Sequence, residues 1–204
     1  MDKRVAVIDY GMGNLYSVSN ALKALGASSD IVVSPRGLDA YDKLILPGVG
    51  SFGDAMHELK KRGFVEPLKK FISSGKPFLG ICLGMQLLFS KSEESRGVSG
   101  LGVIPGEVKK FSSRLKCPHM GWNEIKKSAV RDPIFKGVKG GLYAYFCHSY
   151  YVKPEDDSAA IGKTEYGIVF ASMVRSGRLY GVQFHPEKSQ EKGLVLLKNF
   201  LILC

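Results

Sequence analysis

The chain has 204 residues, 45% hydrophobic and 24% charged, a composition that predicts one globular domain over residues 1–204 with a substantial core. Its apolar runs are shorter than the roughly 18 residues of a membrane helix, and its start shows no signal-peptide pattern, so we expect no membrane association and a cytoplasmic location. The net charge of +10 permits a nucleic-acid surface, but the basic groups lack interleaved aromatic residues and a recognition motif. We therefore expect no nucleic-acid partner and favour a solvated face or a docking face for an acidic partner.

The first half of the chain alternates short apolar runs with helical patterns. We predict strands at 4–9, 30–33, 43–46 and 78–81, and helices at 15–25, 52–62 and 64–74. This alternation is typical of a parallel sheet covered by helices on both faces. A glycine-rich turn follows the first strand, but Tyr16 occupies the third-glycine position of a dinucleotide-binding motif, so that interpretation fails.

The second half is richer in strands. We predict them at 102–109, 122–125, 143–152, 168–174 and 179–184, the last two as a hairpin, followed by a closing helix at 192–203. The predicted fold class is α/β, with a mostly parallel central sheet, helices on both faces and an added antiparallel β region in the C-terminal half.

A strand-to-helix turn connects the two halves, in the sequence Gly80-Ile81-Cys82-Leu83-Gly84. It matches the nucleophile elbow G-x-S-x-G with cysteine in place of serine, and we expect a helix to begin after it, over 83–89. Side chains at the flanking glycines would collide with the packed strand and helix. A helix N-terminus favours the thiolate. The alternative is that Cys82 is a small buried hydrophobic residue, the common fate of a free cysteine.

The four cysteines lack metal-ligand spacing and are expected to be reduced thiols. These are Cys82, Cys117, Cys147 and Cys204.

A nucleophilic cysteine needs a base, and four histidines are candidates: His57 in a lysine-rich helix and expected at the surface, His119 in a predicted loop, His148, and His185 at a strand end. Glu187 follows His185 by two residues, so the two side chains can meet. A carboxylate on one ring nitrogen leaves the other facing a nucleophile. The alternative is a satisfied histidine at the end of a strand.

Gly80 to Gln86, followed about a hundred residues later by His185-Pro186-Glu187, resembles the triad glutamine amidotransferases of class I. The resemblance extends from Arg4 to about Leu201. Segments 9–17, 46–53 and 119–123 are similar to the glutaminase subunits of imidazole glycerol phosphate synthases. The resemblance implies an enzyme that hydrolyses the side-chain amide of glutamine and passes ammonia to a synthase.

Roles for individual residues follow from this resemblance. Cys82 would attack the amide carbon, His185 would transfer protons and Glu187 would orient His185. The oxyanion would be held by backbone N–H groups of Leu83 and of the Gly48-Val49-Gly50 loop, with Gly50 contributing, and those glycines would let the loop change conformation. Residues assigned to glutamine binding are Gly48, Gln86, Ser149 and Tyr150. The alternative for Gln86 is an ordinary polar residue on the elbow helix.

The implied partner is a separate cyclase subunit with a (β/α)₈ barrel, in a heterodimer that uses ammonia in histidine biosynthesis. Asn14, Trp122, Tyr145 and Lys188 match interface positions of the family, although sheet core is the alternative for Trp122 and Tyr145. No cofactor or metal is expected. Three alternatives remain: a glutaminase of another synthase such as the pyridoxal-phosphate one, a cysteine hydrolase or protease on a related scaffold, and a silent binding protein.

Overall fold

The computed structural model describes residues 4–128 and 131–204. Residues 1–3 and 129–130, which belong to the predicted domain, lie outside the described part. The first half contains β1 (Val5–Ile8), α1 (Leu15–Ala24), β2 (Ser29–Val32), β3 (Lys43–Gly48), α2 (Phe52–Lys61), α3 (Val65–Ser73), β4 (Phe78–Cys82) and the one-turn α4 (Leu83–Gln86). A 3₁₀ helix, Leu38–Ala40, precedes β3. Every strand and helix predicted before the elbow is present, with its ends shifted by two residues or fewer.

The parallel part of the sheet has the order β2-β1-β3-β4-β12, where β12 is Leu179–Val182. Successive side chains of a strand point to opposite faces. Val5 and Val7 of β1 share a core with α1 and with α5 (Gln190–Leu203), whereas Ala6 and Ile8 share the other core with α2 and α3. Because both of their faces are buried, β1, β3 and β4 are mainly apolar runs rather than alternating ones.

The C-terminal half adds an antiparallel region. Its strands are β5 (Phe89–Ser92), β6 (Ile104–Lys110), β7 (His119–Lys127), β8 (Leu142–His148), β9 (Tyr150–Pro154), β10 (Ala160–Glu165) and β11 (Val169–Ser176), with 3₁₀ helices at Pro133–Phe135, Asp157–Ala159 and Pro186–Lys188. β11 and β12 form the predicted antiparallel hairpin, and β10, β7 and β8 continue the sheet beyond it. The predicted fold class is confirmed. None of the described helices has the length and apolar character needed to cross a membrane.

The prediction of a helix over 83–89 is wrong beyond Gln86. The helix ends after one turn, and the chain then enters β5, which pairs with β6. The carbonyl of Leu87 accepts a hydrogen bond from the N–H of Leu101, 2.8 Å away, and that of Leu88 accepts from Val103 at 2.9 Å. A distant segment therefore satisfies the carbonyls that follow the single helical turn, so the chain can leave the helix there with its backbone groups paired.

The prediction that His119 lies in a loop is also wrong. His119 begins β7, directly opposite His148 of β8, and its side chain is buried. Strand β10 was not predicted, because Gly162 and Lys163 interrupt its apolar pattern; it forms through pairing with β11 and β7. Both errors arise where neighbouring strands, rather than local preference, decide the structure.

Candidate active site

Cys82 lies at the sharp junction of β4 and α4, with φ 54° and ψ −111°. A positive φ is strained for any residue that carries a Cβ atom. A Cβ atom at Gly80 would lie 2.7 Å from the carbonyl oxygen of Gly84, and one at Gly84 would overlap the carbonyl oxygen of Leu46 on β3. These close approaches confirm the steric reason predicted for both glycines.

His185 meets Cys82 at one edge of the sheet. β12 runs parallel to β4 with Val182 beside Ile81, so the segments that leave both strands emerge at the same edge. The imidazole and Cys82 line the same cavity, Cys82 is one of the groups that raise the pKa of His185, and Nδ1 of the ring lies 2.9 Å from Oε1 of Glu187. Because a carboxylate only accepts, Nδ1 carries hydrogen and Nε2 is left for the sulfur.

The charge state of His185 follows from opposing effects. Burial alone lowers the pKa of His185. Interactions with Cys82 and Glu187 have the opposite and larger effect, so the pKa is raised to about 10. The side chains of His185 and Glu187 are only 7% and 1% exposed, and Oε2 of Glu187 has no hydrogen-bond partner among the described residues. The surroundings therefore favour the imidazolium form at neutral pH.

A cavity of about 360 Å³ borders Cys82 and His185. The other predicted residues that line it are Gly50, Leu83, Gln86, Tyr145, Ser149, Tyr150 and Lys188. A larger hollow of about 510 Å³, around Leu38 and Phe71, includes none of the predicted residues. The smaller cavity is therefore the candidate active site, because a concave space with converging polar groups is what a small polar substrate requires.

Gly48 and Asn14 are predicted residues that lie away from the cavity wall. Gly48 ends β3 opposite Cys82, and a Cβ atom there would lie 2.6 Å from the hydroxyl oxygen of Tyr10. Its place is therefore set by close packing beneath the elbow. Asn14 caps α1, where its side chain accepts a hydrogen bond from the N–H of Ser17, 3.3 Å away.

Three predicted interface residues form a row at the cavity mouth. Trp122 on β7 is 49% exposed, so the alternative that placed it in the sheet core is wrong. Its ring contacts that of Tyr145 edge to face, with centroids 6.4 Å apart. The ammonium of Lys188 lies 6.0 Å from the Tyr145 ring. Tyr145, which is half-buried, and Lys188 also line the cavity, which makes this row continuous with the site.

Gln86 connects the elbow helix to the start of β9 and to the residue that follows β12. Its Nε2 donates to the carbonyl of Tyr150 and to Oε1 of Gln183, each at 3.1 Å. Gln183 is fully buried, and its Nε2 lies 3.8 Å from the sulfur of Cys82. Gln86 therefore lines the cavity with its amide nitrogen bonded within the protein.

Sequence reasoning missed Gln183 and Glu94, and it named His148 only as a candidate base without assigning it a role. His148 and Glu94 line the cavity, and Glu94 accepts a hydrogen bond at 2.7 Å from the N–H of Phe52 at the start of α2. The position of Gln183 two residues before His185 was a usable signal for one of the three. Within residues 4–128 and 131–204, no group of three or more His, Cys, Asp or Glu side chains is arranged to hold a metal ion.

Comparison with known proteins adds independent information. The family model for class-I glutamine amidotransferases matches residues 6–204. The imidazole glycerol phosphate synthase subunit HisH of Moorella thermoacetica is 49% identical over 196 residues, covering 96% of this chain and 93% of that protein. The same subunit of Aquifex aeolicus is 50% identical over 200 residues, covering 97% and 95%. A chain in the solved structure of PurLQS from Thermotoga maritima superposes with a TM-score of 0.80, covering 98% of each chain, and its 21% identity supports the fold alone.

Proposed function

Because the chain belongs to the class-I glutamine amidotransferases, we infer that it is the glutaminase subunit of an imidazole glycerol phosphate synthase. It hydrolyses glutamine to glutamate and ammonia, and the ammonia serves the synthase reaction. Identity of about one half to the corresponding subunits over nearly the full chain is the observation that carries this function. The same observation favours it over a glutaminase of pyridoxal-phosphate synthesis.

The proposed reaction begins at Cys82. Its thiolate forms a bond to the amide carbon of glutamine, and the carbonyl oxygen becomes an oxyanion. Backbone N–H groups of Leu83 and of the loop at Gly50 hold that oxyanion, a contribution of about 10²–10³ in rate for each donor. His185, charged in this environment, gives its proton to the departing nitrogen, so ammonia leaves and a thioester remains.

Hydrolysis of the thioester uses the same residues. His185 is now neutral and takes a proton from water, whose oxygen attacks the thioester carbon; the bond to Cys82 then breaks and glutamate leaves. Glu187, 2.9 Å from Nδ1, keeps the ring in the tautomer that directs Nε2 at these atoms. This division of roles is supported by the position of Cys82 and His185 on one cavity and by the contact of Glu187 with the far side of the His185 ring.

The amino-acid end of glutamine is assigned to Gln86 and to the backbone of Ser149 and Tyr150. Both hydrogens of the Gln86 amide are used within the protein, which leaves its Oε1 to accept from the α-ammonium group. Because Ser149 and Tyr150 line the same cavity as Cys82, a glutamine held at them can extend its amide toward the sulfur.

The partner in this proposal is a cyclase subunit with a (β/α)₈ barrel, and the pair forms a heterodimer. The row of Trp122, Tyr145 and Lys188, together with Asn14, is the proposed docking surface. Its aromatic content suits an interface, and its position at the cavity mouth lets ammonia pass without entering bulk water. The proposal places the enzyme in the cytoplasm, with the biosynthetic reaction it serves.

The experiment that tests this function is co-purification with a candidate cyclase, followed by measurement of glutamate formed from glutamine in the presence of the cyclase's nucleotide. We expect glutamate release from the pair and none from the pair carrying Cys82→Ser. Serine fits the elbow, but its hydroxyl is a much weaker nucleophile. A pair that forms yet releases no glutamate would contradict the proposal.

A further inference from the structure

Two buried histidines beside the cavity have no part in the reaction described above. His119 and His148 are 4% and 6% exposed, and Nδ1 of His119 lies 2.9 Å from Nε2 of His148. The other nitrogen of His148, Nδ1, lies 2.7 Å from the carbonyl oxygen of Tyr150. At the far end, Nδ2 of Asn123 lies 3.2 Å from Nε2 of His119. The result is a continuous chain of hydrogen bonds that ends at the cavity wall.

The direction of every hydrogen bond in this chain is fixed by its far end. The Asn123 side chain accepts from the N–H of Glu124 through Oδ1 at 2.8 Å and donates to the carbonyl of Glu165 through Nδ2 at 2.9 Å. Its Nδ2 is therefore a donor, and Nε2 of His119 must accept. A neutral His119 then carries hydrogen on Nδ1 and donates to His148, whose own hydrogen must be on Nδ1.

The last step agrees with this direction, because the Tyr150 carbonyl can only accept. Burial lowers the pKa of His148 to about 3 and that of His119 to about 4, so both rings are neutral at physiological pH. The His119 ring is stacked between Phe146 and Tyr166, with ring centroids 4.8 Å and 4.1 Å away. Those contacts prevent the ring from turning over.

The chain of hydrogen bonds acts on a backbone segment that borders Cys82. The Tyr150 carbonyl accepts from His148 and also from Gln86, and the Ser149 carbonyl accepts from the N–H of Phe111 at 3.2 Å. With both carbonyls held, the backbone at these two residues has one orientation toward the cavity. Loss of the His148 donor would leave the Tyr150 carbonyl with a single partner.

We propose that His119 and His148 are positioning residues that hold the backbone of Ser149 and Tyr150 in the conformation that binds the amino-acid end of the substrate. The proposal rests on the glutaminase function described above. It assigns the pair an effect on glutamine binding rather than on bond breaking, because neither ring bonds to Cys82 or His185.

The kinetic test compares three variants in the complex with the cyclase and its nucleotide. His148→Phe keeps an aromatic ring but removes the donor, and should raise the glutamine KM about tenfold while kcat changes less than about threefold. His148→Asn places an N–H where Nδ1 stood and should restore KM to within about threefold of the parent. Tyr166→Phe, a matched control, removes a hydroxyl from the same ring cluster outside the chain of hydrogen bonds and should leave KM unchanged.

The structural test does not depend on activity. Nitrogen-15 NMR of the imidazoles should show both His119 and His148 as neutral Nδ1–H tautomers at pH 6. In His119→Phe, His148 should no longer be confined to the Nδ1–H tautomer. An Nε2–H tautomer at His148, an unchanged KM in His148→Phe, or equal KM increases in His148→Phe and His148→Asn would each overturn the proposal. If the parent complex itself released no glutamate, the function would fail, while the NMR result would still decide the hydrogen-bond direction.

Discussion

Cys82 has a backbone conformation that favours glycine over every residue with a side chain. Its φ of 54° and ψ of −111° are imposed by the packing of α4 against β3 and β4. The strain is local, and it belongs to the same turn that presents the sulfur to the cavity. A substitution that removes the Cβ atom should therefore stabilise the fold while it removes the proposed nucleophile.

The first prediction separates backbone strain from the loss of sulfur. Cys82→Gly and Cys82→Ala both lack the sulfur and differ only by the Cβ atom. We expect Cys82→Gly to have the larger free energy of unfolding, by about 1 kcal/mol, whereas the same comparison in an unstrained strand or helix favours alanine. Urea unfolding of the two variants measures the difference. Greater stability of Cys82→Ala would show that the turn carries no such strain.

The second prediction concerns the proton on His185. Its pKa is raised to about 10 against the lowering effect of burial, through Cys82 and Glu187, and Cys82→Ala should therefore bring the pKa down. Because the folded pKa exceeds the unfolded value of about 6.5, the stabilisation is complete below about pH 6.5 and is lost as pH rises toward 10. NMR titration of His185 in the parent and in Cys82→Ala measures the shift. Equal midpoints would exclude Cys82 as its partner.

Among the elements, the parallel strands were predictable and the antiparallel ones less so. β1, β3 and β4 are buried on both faces, so each is a continuous apolar run that local pattern detects. β10 and the start of β7 are defined by their neighbours, and their sequences carry glycine, lysine and histidine. The one-turn α4 is a third case, since pairing of the following residues with a distant segment ends it.

The loop after β3 is the element most able to change the oxyanion site. Gly50 has a φ of +99° and lines the cavity, and a Cβ atom there would lie 2.8 Å from the terminal methyl of Met12. The flexible end of Met12 can move aside, so alanine at this position should disturb the loop mainly because residues with a Cβ atom rarely adopt this φ. Because the loop is proposed to supply one oxyanion donor, its conformation bears on rate rather than on partner binding.

The third prediction follows from that loop. Gly50→Ala should lower the glutaminase kcat of the complex by about 10²-fold, as loss of one oxyanion donor does, and leave affinity for the cyclase nearly unchanged. Gly75→Ala is the matched control, because Gly75 also has a positive φ, +75°, but nothing lies within 4 Å of an added Cβ atom. Its activity should stay at the parental level. Steady-state glutamate release and cyclase titration measure both effects, and equal losses in the two variants would remove the loop from catalysis.

At the scale of the whole molecule, the site combines what sequence can show with what topology decides. Cys82, His185 and Glu187 are found from short motifs, because the elbow and the His-Pro-Glu segment each have a local pattern. Gln183 and His148 are not, since their positions depend on β12 lying beside β4 and on β7 pairing with β8. The cavity forms where the parallel and antiparallel parts of the sheet meet, which no local pattern specifies.

This architecture predicts control by the partner. Ammonia released by a lone glutaminase would be lost to water, so hydrolysis is useful only when the synthase site is occupied. Coupling between two sites is a free energy carried by an element with two arrangements. The loop at Gly50 is the candidate for this element, because it follows a buried strand, borders the cavity and contains a glycine at positive φ. Trp122 is exposed and its ring contacts that of Tyr145 in the cavity wall, so a cyclase docked at the proposed surface would lie close to the loop.

The last prediction is that the isolated chain is nearly inactive and that cyclase with its nucleotide raises kcat at least about 10²-fold, with a much smaller change in glutamine KM. An oxyanion donor acts in the transition state and not in the bound substrate, so completing it raises turnover rather than affinity. Glutamate release is measured for the chain alone, with cyclase, and with cyclase plus nucleotide. Cyclase without nucleotide separates docking from occupancy of the synthase site. Full activity of the chain alone would contradict both the loop mechanism and the need for a complex.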